Sequence, residues 1–172
     1  HTNAEGVWDL KQLATHLGIR GRLFTTDGGQ LLSDTEMPTL YNAFDAIIST
    51  GEGESFGLTH LESLACGIPN IAVKCGGLPS WAGDAIYWVE PSVYGFTANR
   101  TNTKRWIATE DDFVHAMHTM YTKPDMRLEY SNRGIAKAAD FQWDTIAIHF
   151  DKVLHQVLDV QRIATKSSTN AL

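Results

Sequence analysis

The chain is predicted to fold as an α/β layer, a sheet of parallel strands with helices on both faces. Three observations lead there. Short apolar runs of strand length recur at Ala46-Ile47-Ile48, Ile71-Ala72-Val73 and Ile86-Tyr87-Trp88-Val89. Between and after them lie segments whose apolar residues repeat at helical spacing. Glycines gather where one kind of segment gives way to the other, at Gly51, Gly53 and Gly57 and again at Gly76 and Gly77. Strands that alternate with helices pair in parallel, because each return across the sheet needs a crossover segment.

Taken in order, Val7, Leu10, Leu13, Ala14 and Leu17 follow the helical template and Gly18 closes it, predicting a first helix over 7–17. Residues 22–26 (Arg-Leu-Phe-Thr-Thr) suit a short strand, with Asp27-Gly28-Gly29 as its turn. A short helix is predicted over 38–44, then the strand over 46–49. Leu61, Leu64, Ala65 and Ile68 mark the next helix, which Gly67 and Pro69 end. The strand at 71–73 leads to a turn at Gly76-Gly77, and the strand at 86–89 is extended or flanked by 94–97. Residues 99–109 are polar and read as a loop. Thr109 then caps a helix whose first turn is acidic and whose buried side is Phe113, Met117, Met120 and Tyr121. Further helices are predicted over 125–139 and from Thr145 to about Ile163, followed by a flexible tail over 164–172.

Composition narrows the function. The 172 residues are 43% hydrophobic and 20% charged, ordinary for one globular domain. Net charge is −6 with Lys and Arg scattered, which argues against nucleic acid or an anionic membrane surface as a partner. Two isolated cysteines, Cys66 and Cys75, make no disulfide framework and point to a reducing, cytoplasmic setting. No apolar run reaches the length of a membrane span. His115 and His118 are spaced as metal ligands can be, but no third ligand matches them, so no metal is expected.

The chemistry concentrates in residues 49–81. Glu54 and Glu62 are separated by seven residues, with the step Phe56-Gly57-Leu58 between them. Glu54 lies in the glycine-rich loop before the helix, where the backbone can approach a ligand and the first helical N–H groups attract an anion such as phosphate. Glu62 lies beside the apolar stripe, in register with Leu58 and Cys66. A carboxylate accepts two hydroxyl hydrogen bonds at once, so two of them on one loop-helix unit can grip a polyhydroxyl ligand at two points.

Glu54-Ser55-Phe56-Gly57-Leu58, Leu61-Glu62-Ser63, Ala65-Cys66-Gly67-Ile68-Pro69 and Gly76-Gly77-Leu78-Pro79 together resemble the E-x7-E signature of retaining GT-B glycosyltransferases of the family-4 type. Leu40-Tyr41-Asn42-Ala43-Phe44-Asp45 and Phe141-Gln142-Trp143 are similar to further family steps. The resemblance covers roughly residues 5–160 and implies a Rossmann-like sheet, the C-terminal, donor-binding half of a GT-B fold lacking its first strands. Residues 1–163 are then a partial nucleotide-sugar-binding domain, and the N-terminal acceptor domain is absent.

Carried across, Glu54 is the expected catalytic residue, holding the hydroxyls of the transferred sugar, and Glu62 the ligand of the ribose diol. Ser55, Phe56, Gly57, Leu58 and Thr59, with Gly76 and Gly77, would line the sugar and diphosphate, and Thr25 and Thr26 would lie near the base. The donor would be a nucleoside-diphosphate sugar, with no cofactor or metal, and the acceptor a glycan or other hydroxyl compound. Many relatives carry a glutamate where Ser80 stands, and Lys74 and Arg100 do not occupy the positions of the family's diphosphate-binding cations. Other readings are an epimerase or phosphorylase of the same fold, a non-enzymatic sugar-nucleotide-binding module, and a dinucleotide-dependent oxidoreductase; the last lacks G-x-G-x-x-G after a strand.

Overall fold

The computed structural model describes residues 9–24, 32–96 and 103–169, with residues 160–169 described for their backbone alone. The chain divides into two units, residues 1–37 and 38–172.

In the first unit, helix α1 (Leu10–His16) starts where the Asp9 carboxylate accepts the Gln12 N–H at 2.9 Å. The predicted strand over 22–26 is not found where it can be followed: Arg20–Arg22 form a 3-10 turn, and Leu23 and Phe24 join no strand. A β-prone run becomes a strand only against a partner edge, and among the described residues none pairs with it. Thr25 and Thr26 lie outside the described residues.

Helix α2 (Met37–Tyr41), whose last four residues begin the second unit, is shorter than the predicted 38–44. Three parallel strands follow, β1 (Ile47–Ser49), β2 (Asn70–Val73) and β3 (Ile86–Val89), in the order β1-β2-β3. Ile48 stands opposite Ile71, and Ile71 opposite Tyr87. Every residue of β2 is buried, as a strand covered on both faces must be. Alternate residues supply two apolar clusters. Ala72 and Ile86 pack with Leu64, Leu78 and Ala82 on one face; Ile71 and Val89 pack with Ala116 and Met120 on the other.

Helix α3 (Leu58–Ala65) joins β1 to β2, and α4 (Leu78–Ala82) lies in the connection from β2 to β3. The turn expected at Gly76-Gly77 is present, and α4, which the sequence pattern does not predict, follows it directly. Pro79 sits in its first turn, where the missing N–H is harmless, so the helix forms despite the glycines before it. The polar run over 99–109, read as a loop, contains a strand. Strand β4 (Val93–Phe96) pairs antiparallel with β5 (Lys104–Ile107), a ribbon separate from the main sheet. Tyr94 lies opposite Trp106, and the Lys104 ammonium rests 3.8 Å above the indole and 4.2 Å above the phenol ring.

Helix α5 (Glu110–Thr122) begins with a capping box: Thr109 and Asp112 each accept the other's backbone N–H. The Thr109 hydroxyl and N–H hold the Asp112 carboxyl below its ordinary pKa. Its buried side is Ala116, Thr119 and Met120 with Phe113 half-buried, whereas Met117 and Tyr121, expected inside, are exposed. Helix α6 (Pro124–Ala138) contributes Met126 and Tyr130 to one cluster and Ala138 to the other. Helix α7 (Trp143–Thr169) runs beyond the predicted end at Ile163. Among the described residues no helix is long and apolar enough to cross a membrane.

Candidate functional site

Because β1, β2 and β3 are parallel, the loops that follow β1 and β2 leave the sheet at the same edge, its carboxyl edge, where open α/β sheets bind ligands. The first loop carries Glu54 and the second carries Gly76 and Gly77. They are in direct contact. The Gly77 N–H donates to the Glu54 carbonyl at 2.8 Å. A Cβ on Gly76 would stand 2.0 Å from that same carbonyl oxygen, and one on Gly77 2.1 Å from the Ser55 carbonyl oxygen. No side chain fits there, and Gly76 is also left-handed, at φ 62°. The close approach read from the paired glycines is therefore made to the chain itself, against the backbone of Glu54 and Ser55.

The loop is held on two further sides. The Trp81 indole N–H donates to the Phe56 carbonyl at 2.7 Å, and the two rings stack with centroids 5.0 Å apart. Phe141 meets both edge-on. At the other end, the Trp106 N–H donates to the Glu52 carbonyl at 2.8 Å and Arg105 pairs with the Glu52 carboxylate, tying the β4–β5 ribbon to the loop just ahead of Glu54. The Cys75 thiol reaches the Gly51 carbonyl at 3.5 Å. Burial pushes that thiol above its ordinary pKa, a hydrogen bond with the Glu54 backbone opposing the rise and the Glu54 charge adding to it.

Glu54 is half-buried, and its carboxylate accepts the Ser55 N–H at 3.1 Å. Gly57 follows at φ 80° as the N-cap of α3, and no side chain caps that helix. The helix start at Leu58 and Thr59 therefore presents uncapped N–H groups, and both residues are exposed. A Cβ on Gly57 would crowd the Glu54 side chain, His60 and Leu78, so this glycine allows the carboxylate stem to lie against the helix mouth.

Glu62 lies one turn further on, on the outward face of α3 with Leu58, which is 63% exposed. Its Oε2 accepts a hydrogen bond from the Tyr41 hydroxyl of α2 at 2.7 Å. Tyr41 is only 5% exposed, and burial, then the bond to Glu62 and its charge, raise the phenol well above its ordinary pKa. Burial and the Glu62 charge likewise raise the Cys66 thiol.

The inner face of α3 is more polar than its apolar spacing suggested. Leu64 and Ile68 are buried and Leu61 half-buried, but Ala65 is exposed while His60 and Ser63 are inside. They meet Asn70 of β2. The Asn70 amide donates to the Ile68 carbonyl at 2.9 Å, which fixes its orientation and makes Oδ1 the acceptor for His60 Nδ1 at 2.8 Å. His60 thus carries its proton on Nδ1. Ser63 closes the network through Asn70 at 2.8 Å and the His60 carbonyl at 2.9 Å, and no buried polar side-chain atom among the described residues lacks a partner.

Over residues 5–137 the chain matches the family described as glycosyl transferases group 1. The chain belongs to this family. Among curated relatives, the D-inositol 3-phosphate glycosyltransferase of Saccharomonospora viridis is 30% identical over 136 residues, covering 78% of this chain and 27% of the relative. The chain spans about a third or less of the length of the curated relatives it matches. Sucrose-phosphate synthase from Thermosynechococcus elongatus superposes with a TM-score of 0.70 at 19% identity, over 88% of this chain and 34% of that one. The C-terminal domain of a glycosyl transferase group 1 protein from Francisella tularensis gives 0.57 at 21% identity, over 76% of this chain and 59% of that one. These two likenesses establish the Rossmann-like fold of GT-B glycosyltransferases.

Within this group 1 domain, the structure brings Glu54, Ser55, Phe56, Gly57, Gly76 and Gly77 into one packed unit, with Leu58, Thr59 and Glu62 on the helix that leaves it. Sequence reasoning missed the groups that steady this unit: Tyr41, Trp81, Asn70 and Glu52. The step Leu40-Tyr41 had been noted only for its pattern, and nothing in spacing alone tells which side chain a tyrosine 21 residues away will reach. A cavity of about 420 Å³ beside β1, lined by Phe44, Ile48, Ile71, Met117, Met120 and Tyr121 among others, is bordered by neither glutamate. It is mostly apolar and meets the second core cluster at Ile71 and Met120. Among the described residues no cluster of three or more His, Cys, Asp and Glu is placed to hold a metal.

Proposed function

We propose that this chain is the donor-binding part of a retaining glycosyltransferase, which moves a sugar from a nucleoside diphosphate to a glycan or other hydroxyl acceptor with the anomeric configuration kept. The observation that carries the reading is the placement of Glu54 and Glu62 at the two ends of one unit, with the uncapped start of α3 between them. Glu54 holds the hydroxyls of the transferred sugar. Glu62 holds the ribose diol. The N–H groups at the start of α3 receive the diphosphate, whose negative charge grows as the sugar departs. Gly76 and Gly77 act by letting the Glu54 backbone seat closely.

Charge-assisted hydrogen bonds of the kind each carboxylate would make contribute about 1.5–3 kcal/mol apiece, enough together to bind and orient a nucleotide sugar. No metal takes part: the helix mouth and the carboxylates are the donor-binding groups. Residues 1–172 alone do not catalyse transfer, because an acceptor domain must form the other wall of the cleft to exclude water and align the attacking hydroxyl.

Calorimetric titration of the full-length parent protein with UDP, GDP and ADP sugars, and with NAD as a control, tests the reading. Saturable binding of one nucleotide-sugar class, weakened by Glu54→Ala and by Glu62→Ala, is the expected result. Binding indifferent to both substitutions would remove the assignment. The product's anomeric configuration, read by NMR, tests retention separately.

A further inference from the structure

We infer that Tyr41 is a positioning residue of the nucleotide site: its hydroxyl fixes the Glu62 carboxylate so that the remaining lone pairs are presented to a ribose diol. The inference rests on the ribose reading of Glu62 and extends it to a residue on another element. A glutamate on an outward helix face, flanked by an exposed Leu58, ordinarily samples many rotamers. Here one oxygen is captured at 2.7 Å by a phenol that is itself almost wholly buried and so cannot follow the carboxylate into solvent. An ionised carboxylate offers about four lone-pair directions, and one bond from Tyr41 leaves acceptors for both hydroxyls of a diol.

The direction of the bond is set by chemistry. The carboxylate can only accept, so the phenol must donate, and the raised pKa of Tyr41 keeps its proton in place. No other hydrogen-bonding side chain is found on Glu62 among the described residues. Fixing the carboxylate before the ligand arrives removes part of the ordering that binding would otherwise require.

The experiment measures affinity of the full-length parent for UDP, GDP and ADP, each against its 2′-deoxy form, in wild type, Tyr41→Phe, Glu62→Ala and the double variant, with thermal unfolding alongside. Tyr41→Phe keeps the ring that fills the buried position, so the fold is retained. It should weaken the preferred ribonucleotide about tenfold and its 2′-deoxy form much less. In the Glu62→Ala background the same change should have almost no further effect, because Tyr41 acts only through Glu62. If Glu62→Ala abolishes the ribose preference but Tyr41→Phe leaves it intact, or weakens binding equally in the Glu62→Ala background, the positioning role is wrong and the ribose reading stands. If Glu62→Ala keeps the preference, the ribose reading fails and this inference falls with it.

Discussion

Glu54 stands on a loop clamped by main-chain contacts, whereas Glu62 stands on an outward helix face and is reached by one phenol. The Glu54 backbone lies against Gly76 and Gly77 too closely for any side chain, and Trp81 and Phe141 close the far side of the loop. Glu62 has a regular helix beneath it and Tyr41 beside it. The contrast teaches where each position is vulnerable. The Glu54 main chain moves only if the loop moves, and its carboxylate is held by the Ser55 N–H of that same loop. A carboxylate held by a single side-chain hydrogen bond can be released without disturbing the fold.

The largest effect should come from removing the clamped carboxylate. Glu54→Ala in the full-length parent is expected to lower turnover by two to three orders of magnitude, roughly the loss seen when one preorganised group is taken from a charged transition state. Transfer at a near-normal rate by that variant would end the assignment of Glu54.

Gly76→Ala tests the clamp itself. The added Cβ would overlap the Glu54 carbonyl and occupy a left-handed backbone, so a loss of about 2–4 kcal/mol is expected in denaturant unfolding, together with weakened sugar-nucleotide binding. Full stability in this variant would mean that the loop yields easily, and the contrast with Glu62 would dissolve.

Asn70→Ala probes what Glu62 has beneath it. Its loss strands the buried His60 Nδ1 and leaves Ser63 only the His60 carbonyl, and should lower stability by about 2–3 kcal/mol. Donor affinity should fall less than in Gly76→Ala, since α3 keeps its apolar contacts through Leu64.

The smallest effect is a pH dependence. Burial first, then the bond to Glu62 and its charge, raise the folded-state pKa of Tyr41 above its ordinary value of 10.0, so the contribution of the protonated phenol is fully present below that value. Above it the unfolded chain loses its proton first, and stability declines as pH rises. The stability difference between wild type and Tyr41→Phe should therefore be level up to about pH 10 and shrink beyond it. A difference that stays constant into the alkaline range would place Tyr41 outside any strong coupling to Glu62.

Local chemistry made much of this legible. Thr109 followed by three acidic residues reads as a helix start and is one, completed by a capping box. The apolar runs at 71–73 and 86–89 are strands, the first wholly buried and the second buried at its two ends, and Gly57 opens α3 where the motif placed the helix mouth. The failures share a cause. Lys104-Arg105-Trp106-Ile107 reads as loop because its strand character comes from β4 across the ribbon. The burial of His60 and Ser63 is not legible from the apolar spacing, because the partner that lets them be buried, Asn70, belongs to the next strand. Tyr121, apolar in the helical pattern, is 82% exposed, since Ala116 and Met120 already meet the sheet.

Residue order alone determined which segments become helices and strands and where the two glutamates fall in the chain, because caps, glycines and periodicity act within a few residues. Which groups hold those glutamates was decided only when distant segments met. The Gly76 backbone against Glu54 and the Tyr41 hydroxyl on Glu62 are encounters through space, and close packing and hydrogen-bond satisfaction select their partners from the whole fold.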